Sequence, residues 1–293
     1  MMRFLVALVL SLCGTTACTA RPSDQKQAPI ANSLLWKVSG KGLSKPSYVF
    51  GTIHAICQSD YLWTSVMQRS FAATDVLCLE MDLDDPSLMM QAAMGMMSTD
   101  GKMLRDYFTK EQYARLEAYA EDSLGTSLDM LQMMKPVVLV SLFATKGGTC
   151  DSSVSYEMNL MKLAKGSEKE VEGLEAAQEQ LEVLNSLPAD SIVHEVMNMI
   201  DGKQEKSGDF DQLVAAYKKQ DLNLLNKLIE SSGGFGEQKG PFLDDRNKRW
   251  ISRMEKKMKS ESVFFAVGAG HLPGSNGVLA LLRKAGYTVE PVL

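Results

Sequence analysis

Histidine is scarce in this chain, three in 293 residues, and two of the three stand in the same local setting near opposite ends. Ser47-Tyr48-Val49-Phe50-Gly51-Thr52-Ile53-His54 and Val263-Phe264-Phe265-Ala266-Val267-Gly268-Ala269-Gly270-His271 are each an apolar, β-branched and aromatic run that stops at a glycine, with a histidine three residues further on. A strand that ends in Gly-x-x-His delivers an imidazole just past its C-terminal end, which is where open α/β sheets gather ligands and catalytic groups. The third histidine, His194, is followed by Glu195, but Asn198 stands four positions on, so a helical HExxH metal pair cannot form. The glycines around Ala269 lack the further glycine and downstream acid of a dinucleotide fingerprint.

Two carboxylates and an arginine occupy comparable positions. The run 75–82 reads as a strand with an acidic end, and Glu80 projects from the face opposite Leu79 and Met81. A solvated edge carboxylate is the plain alternative. The run 170–175 reads as a short strand that ends at Glu175. Arg246 and Trp250 share one face of a helix that leads into the second motif strand. With Trp250 facing the core, Arg246 should reach the C-terminal edge of the sheet; a surface ion pair with Asp244 or Asp245 is the alternative.

The elements that must position these groups follow in order. A hairpin is expected from strands near 34–38 and 47–50, then a helix near 63–73, the strand at 75–82, and a middle region, about 86–219, dominated by helical periods. A helix capped by serine starts after residue 153 and a loop covers 232–241. A helix from 243 to about 258, the second motif strand, a helix at 276–285 and a terminal strand at 287–292 complete the order. The fold class is α/β, a central mixed sheet with two copies of strand-Gly-x-x-His and a large helical insert. Met89, Met90, Met94, Met96, Met97 and Met103 crowd one segment of the insert, and Met130, Met133 and Met134 another. They suit either a helix core or a pliable substrate-facing surface; the irregular spacing does not suit copper.

Composition narrows the partners. Charged residues make up 23% of the chain and the net charge is −5, with no basic patch for nucleic acid. Residues 1–17 have one basic residue, Arg3, an apolar stretch too short to span a bilayer, and small residues before Cys18. That pattern resembles a lipoprotein signal cleaved before a lipid-bearing Cys18, with residues 18–32 as a flexible tether and 33–293 as the folded domain. The absence of aspartate after Cys18 resembles an outer-membrane address, and a plain secretory signal is the alternative. Export exposes the remaining cysteines to oxidation. Cys78 lies in an apolar run and reads as a buried strand residue, which makes Cys57 and Cys150, in polar surroundings, the preferred disulfide against two free thiols.

Taken in order, Tyr48 to His54, Leu79-Glu80-Met81-Asp82, Gly173-Leu174-Glu175, Arg246-Asn247 and Val267 to Gly274 resemble the TraB/GumN family, over almost the whole chain from Leu34 to Val292. The resemblance implies one α/β domain with a helical insert. Through the TIKI branch of the family it also implies a metal-dependent protease that uses both Gly-x-x-His motifs. Carried over by position, His54 and His271 match the motif histidines, Glu80 the acid at the strand end, and Arg246 the helix arginine, with Glu175, Asn247, Gly51 and Gly268 around them. Two imidazoles and a carboxylate make a three-ligand site with an open position for water, and such N/O donors accept zinc, manganese, cobalt or iron. Arg246 is then placed to clamp a substrate carboxylate or an oxyanion. Two other readings stay open. Distant erythromycin-esterase-like relatives imply a metal-independent hydrolase in which histidine and glutamate act directly, and a non-catalytic ligand-binding lipoprotein is the third. The implied substrate is a peptide or a small molecule.

Overall fold

A computed structural model describes residues 30–125, 127–144, 150, 152–202, 209–231 and 239–293. The leader, Cys18, most of the tether and much of the loop at 232–241 lie outside these residues. The strands are β1 (Leu35–Ser39), β2 (Ser47–Thr52), β3 (Ile56–Cys57), β4 (Val76–Met81), β5 (Ser153–Val154), β6 (Glu170–Glu175), β7 (Val263–Gly268) and β8 (Thr288–Pro291). Among them lie helices α1 (Ser65–Ala72), α2 (Leu88–Met96), α3 (Lys110–Tyr119), α4 (Val137–Ala144), α5 (Tyr156–Gly166), α6 (Ala177–Asn185) and α7 (Ala189–Ile200). Four more follow, α8 (Asp209–Lys218), α9 (Leu222–Ser231), α10 (Asp245–Ser260) and α11 (Val278–Lys284). No helix among the described residues is long and apolar enough to cross a membrane.

Six strands form one mixed sheet in the order β6-β4-β7-β2-β1-β8. β6, β4, β7 and β2 are mutually parallel, while β1 is antiparallel to both β2 and β8. The parallel centre is apolar on both faces, as a covered sheet requires. Successive residues Phe264 and Phe265 point to opposite faces, and both are fully buried. Phe264 meets the rings of Phe50, Trp63 and Phe71. Phe50 also meets Tyr156 at the start of α5.

The two Gly-x-x-His strands, β2 and β7, are immediate neighbours, with Gly51 opposite Val267 and Thr52 opposite Gly268. The repeated sequence therefore becomes two adjacent strand ends on one edge of the sheet. β4 flanks β7 on the other side and β6 lies beyond it, so Thr52, Gly268, Met81 and Glu175 all end at that same edge.

A second core, built from Leu104, Leu116, Leu139, Phe143, Ile192 and Val196 among others, holds α3, α4 and α7 together. The middle of the chain does not fold as one piece. Tyr156, Leu160 and Ala164 of α5, Leu174 of β6, and Ala216 and Tyr217 of α8 belong to the main core around the sheet. The methionines divide as well. Met67, Met197, Met254 and Met258 are core residues, whereas α2 has no buried residue, so a helix-core role does not hold for its methionines.

Candidate active site at the sheet edge

The end of β7 turns sharply through a short 3-10 segment, Ala269–His271, and buries His271 beneath α10. Its ring packs on Trp250 with centroids 4.4 Å apart. Nδ1 lies 2.7 Å from Asn247 Oδ1. The amide nitrogen of Asn247 donates to the carbonyls of His271 and Asn276, so Oδ1 is the acceptor and Nδ1 carries the proton. Nε2 is left with its lone pair, 3.7 Å from Glu80 Oε1 and 3.3 Å from Arg246 Nη1. Burial, first of all, pushes the ring down to about 4, so His271 is neutral at pH 7.

Glu80 comes from the end of β4. Oε1 accepts from the Gly268 backbone N–H at 2.8 Å, and Oε2 from Arg246 Nη2 at 2.5 Å. Gln180 of α6 adds a longer contact at 3.4 Å. A side chain at Gly268 would place its Cβ 3.3 Å from Glu80 Oε1, and one at Gly51 would meet the Ala269 backbone at 3.1 Å. Close approach is thus why each motif carries glycine at its strand end. Burial opposes the charge on Glu80, but His271, Arg246, His54 and the Gly268 N–H outweigh it and hold the carboxyl at about 2.

Arg246 is the hub. Nε and Nη2 both donate to Glu175 Oε1, Nη2 also reaches Glu80, Nη1 donates to the Phe242 carbonyl, and the guanidinium stacks on Trp250. Glu175 is buried and uses its other oxygen to accept from Trp250 Nε1 at 3.1 Å. Asp244 and Asp245 are engaged elsewhere, by Asn276 and Lys248.

His54 follows the same spacing to a different place. Beyond it the chain enters β3, which pairs with β5, and Cys57 is disulfide-bonded to Cys150. β5 runs directly into α5, so this staple sets His54 beside Glu157 in the first turn of that helix. His54 Nδ1 lies 3.3 Å from Glu157 Oε1, while Thr52 Oγ1 and Ser155 Oγ donate to the same carboxylate at 2.9 and 2.8 Å. The hydrogen bond to Glu157, above other causes, raises His54 to about 9, and solvent around the ring, whose side chain is 79% exposed, screens that pair. Among the described residues, no three His, Cys, Asp or Glu side chains converge closely enough to hold a metal ion. Glu80, Glu175, Arg246, Asn247 and His271 are brought into direct contact, with Gly51 and Gly268 beneath them; His54 pairs with Glu157 and lies near enough to Glu80, Arg246 and His271 to act on their charges. Sequence reasoning gave Glu157 no role in the site; its one signal was an acid two residues after Ser155, the serine that caps α5. Cys78 is a buried free thiol pushed up to about 12 by burial.

A family model described as the TraB/PrgY/gumN family matches residues 34–291. Among curated proteins, the chain is similar to Metalloprotease TIKI2 of Danio rerio, at 24% identity over 92% of this chain and 62% of that protein. It is also similar to Metalloprotease TIKI2 of Xenopus tropicalis (26% identity, 88% of this chain and 60% of that protein) and to Metalloprotease TIKI1 of Homo sapiens (24%, 94% and 64%). The chain thus spans about three fifths of the length of these relatives. No solved structure matches it.

Proposed function

The chain belongs to the TraB/PrgY/gumN family, and from that premise we propose that it is a metal-dependent hydrolase of peptide bonds that works in the cell envelope. The observation that carries the reading is the state of His271, neutral, with Nδ1–H tied to Asn247 and the Nε2 lone pair 3.7 Å from Glu80 Oε1. Metal-bound histidines commonly donate their second ring N–H to such an acceptor. Two donors ~2.1 Å from one ion at a tetrahedral angle stand ~3.4 Å apart, so the spacing suits a shared ion. His271 and Glu80 would hold it, and His54 is the further imidazole at the same edge. The bound ion, zinc, manganese, cobalt or iron by donor type, would lower the pKa of a water and polarise the scissile carbonyl.

The chain's own residues have separate tasks. Asn247 fixes the tautomer and ring angle of His271. Arg246 keeps Glu80 ionised, and Glu175 anchors Arg246. Trp250 covers the ring of His271 and keeps water from that side. Relatives named metalloproteases support the reading.

One contact favours a second reading. Arg246 Nη1, at 3.3 Å from His271 Nε2, engages the lone pair a metal would use. In that reading the site is a metal-independent hydrolase in which Arg246 turns to the substrate and frees the Nε2 lone pair, so that His271 can take a proton as the base. Elemental analysis of purified protein, with and without His271→Ala, alongside peptide cleavage before and after chelation, separates the cases. Stoichiometric metal lost with the histidine, and cleavage lost with the metal, is the expected result. Cleavage that survives chelation favours the second reading, and saturable ligand binding without turnover overturns both.

The leader at residues 1–17 and the Cys57–Cys150 disulfide, a bond that persists in oxidising compartments, support export with a lipid on Cys18 and an outer-membrane address. Cys18→Ser should release the protein from the membrane fraction. Unchanged fractionation would rule the lipid out as the anchor.

A further inference from the structure

α2 is an apolar helix that packs on α6 along one side and leaves its methionine face open among the described residues. Its nine residues, Leu-Met-Met-Gln-Ala-Ala-Met-Gly-Met, include no charge and none is buried. Met89, Met90 and Met94 are 78, 65 and 66% exposed, and Met130 and Met133 beside them are 83 and 56% exposed. The two segments form one surface. Met97 bridges Met134, Ser98 N donates to the Met133 carbonyl, and Lys135 N to the Met96 carbonyl. Large exposed apolar side chains in a contiguous group mark a binding surface more often than chance exposure.

The position of this surface points to what it binds. α2 leaves the sheet edge after β4, the strand that carries Glu80, and α6 leaves it after β6, the strand that carries Glu175. The two helices are in direct contact, so close that a side chain at Gly95 would overlap Leu181. One residue before Leu181, Gln180 touches Glu80. The methionine face therefore begins one helix away from the candidate active site.

We propose that this face receives an apolar, extended stretch of the polypeptide on which the adjacent site acts. Flexible thioethers re-pack around side chains of different shape, which suits a chain segment of variable sequence. Charge argues for a polypeptide over a bilayer. No lysine or arginine occurs in the sequence between Arg69 and Lys102, and Lys135, the cation of the second segment, is engaged by the Gly95 carbonyl at the end of α2 and by Asn185, whereas Asp82, Asp84 and Asp85 precede the helix and Asp100 follows it. Amphipathic membrane helices place basic residues beside their apolar face. This acidic border repels anionic lipid and complements basic residues or a free amino end that flanks an apolar stretch. The proposal rests on the hydrolase reading only for what happens to the chain once it is held.

The test uses fluorescein-labelled β-casein, an unfolded apolar polypeptide, and the full protein with Met90→Gln, Met94→Gln and Met130→Gln combined. These side chains are exposed, so the variant should melt like the wild type. Binding is measured by anisotropy in the His271→Ala background, where turnover plays no part, and cleavage in the otherwise native protein. The expected result is a Kd at least about tenfold weaker in the triple variant. The KM for casein should rise to match while kcat stays the same. Equal casein affinity with and without the three substitutions would overturn the proposal, whether or not the protein is a hydrolase. So would methionine-dependent binding to phosphatidylglycerol vesicles in place of casein, or a dimer in sedimentation that the triple variant abolishes. Casein binding that survives with no cleavage would sink the hydrolase reading alone.

Discussion

Replacing Arg246 by methionine keeps the length and apolar bulk of the side chain and deletes the charge that two buried carboxylates share. In the native protein the guanidinium serves Glu80 at 2.5 Å and Glu175 at 2.5 and 2.9 Å, with the arginine side chain 9% exposed and that of Glu175 fully buried. Removing one partner of a buried pair costs about 3–5 kcal/mol, because the other charge stays buried without compensation. Glu80 keeps the Gly268 N–H and Glu175 keeps Trp250 Nε1, so the lower end, about 3 kcal/mol, is expected. For a chain of this size that is roughly 6–12 °C in Tm. The loss should depend on pH with a definite sign. Glu80 is held at about 2, below its unfolded value near 4.5, so it contributes stability above pH 4.5 that is lost as pH falls through about 2. Arg246 is one of its causes, after His271, so part of that contribution disappears with the arginine. The gap between wild type and variant should therefore be widest at neutral pH and close on acidification. Urea unfolding at pH 7 and at pH 4, with Arg246→Met/Glu175→Gln recovering about half of the loss, is the assay. A loss under ~1 kcal/mol at pH 7, the scale of an exposed pair, or one that is the same at both pH values, would refute the hub.

Three further outcomes follow from the geometry. The 15N shifts of His271 should place its proton on Nδ1 and show no charging until about pH 4, and a proton on Nε2 would break the argument from Asn247. Because that ring's pKa falls on folding, its effect on stability is felt as pH drops from about 6.5 to 4, where the unfolded chain takes the proton and the native one does not. Glu157→Gln should lower the titration of His54 from its raised value near 9 toward 6.5. The raised pKa adds stability below pH 6.5 that is lost as pH rises through about 9, by an amount that exposure of the ring keeps small, and an unmoved titration would mean that Glu157 does not hold the ring. Reduction of Cys57–Cys150, which closes a separation of 93 residues, should cost up to ~4 kcal/mol of unfolding free energy and increase the mobility of His54. No change in either would make the staple incidental.

The strand ends were legible in the sequence because they are local. An apolar run that stops at glycine ends each motif strand, and the acids at the ends of β4 and β6 were visible as the last charged positions of short strands. The partners were not legible, because they are set by chain paths of differing length. After Gly268 the chain turns at once beneath α10, and Asn247 and Trp250 bury His271. After Gly51 the chain is pulled toward β5 and Cys150, and His54 emerges into solvent beside Glu157. Equal spacing therefore produced one buried neutral ring and one exposed ring held by a carboxylate. Arg246 was placed at the sheet edge by helical phase together with the family resemblance, yet its two carboxylates come from strands that begin at residues 170 and 76, which no helical period encodes. The methionines show the same limit from the other side: their apolar character suggested a core, while α2 buries none of them. A motif specifies where a side chain leaves the backbone. What that side chain can do depends on the remote segments that close around it, here α10 for one histidine and a disulfide-held helix start for the other.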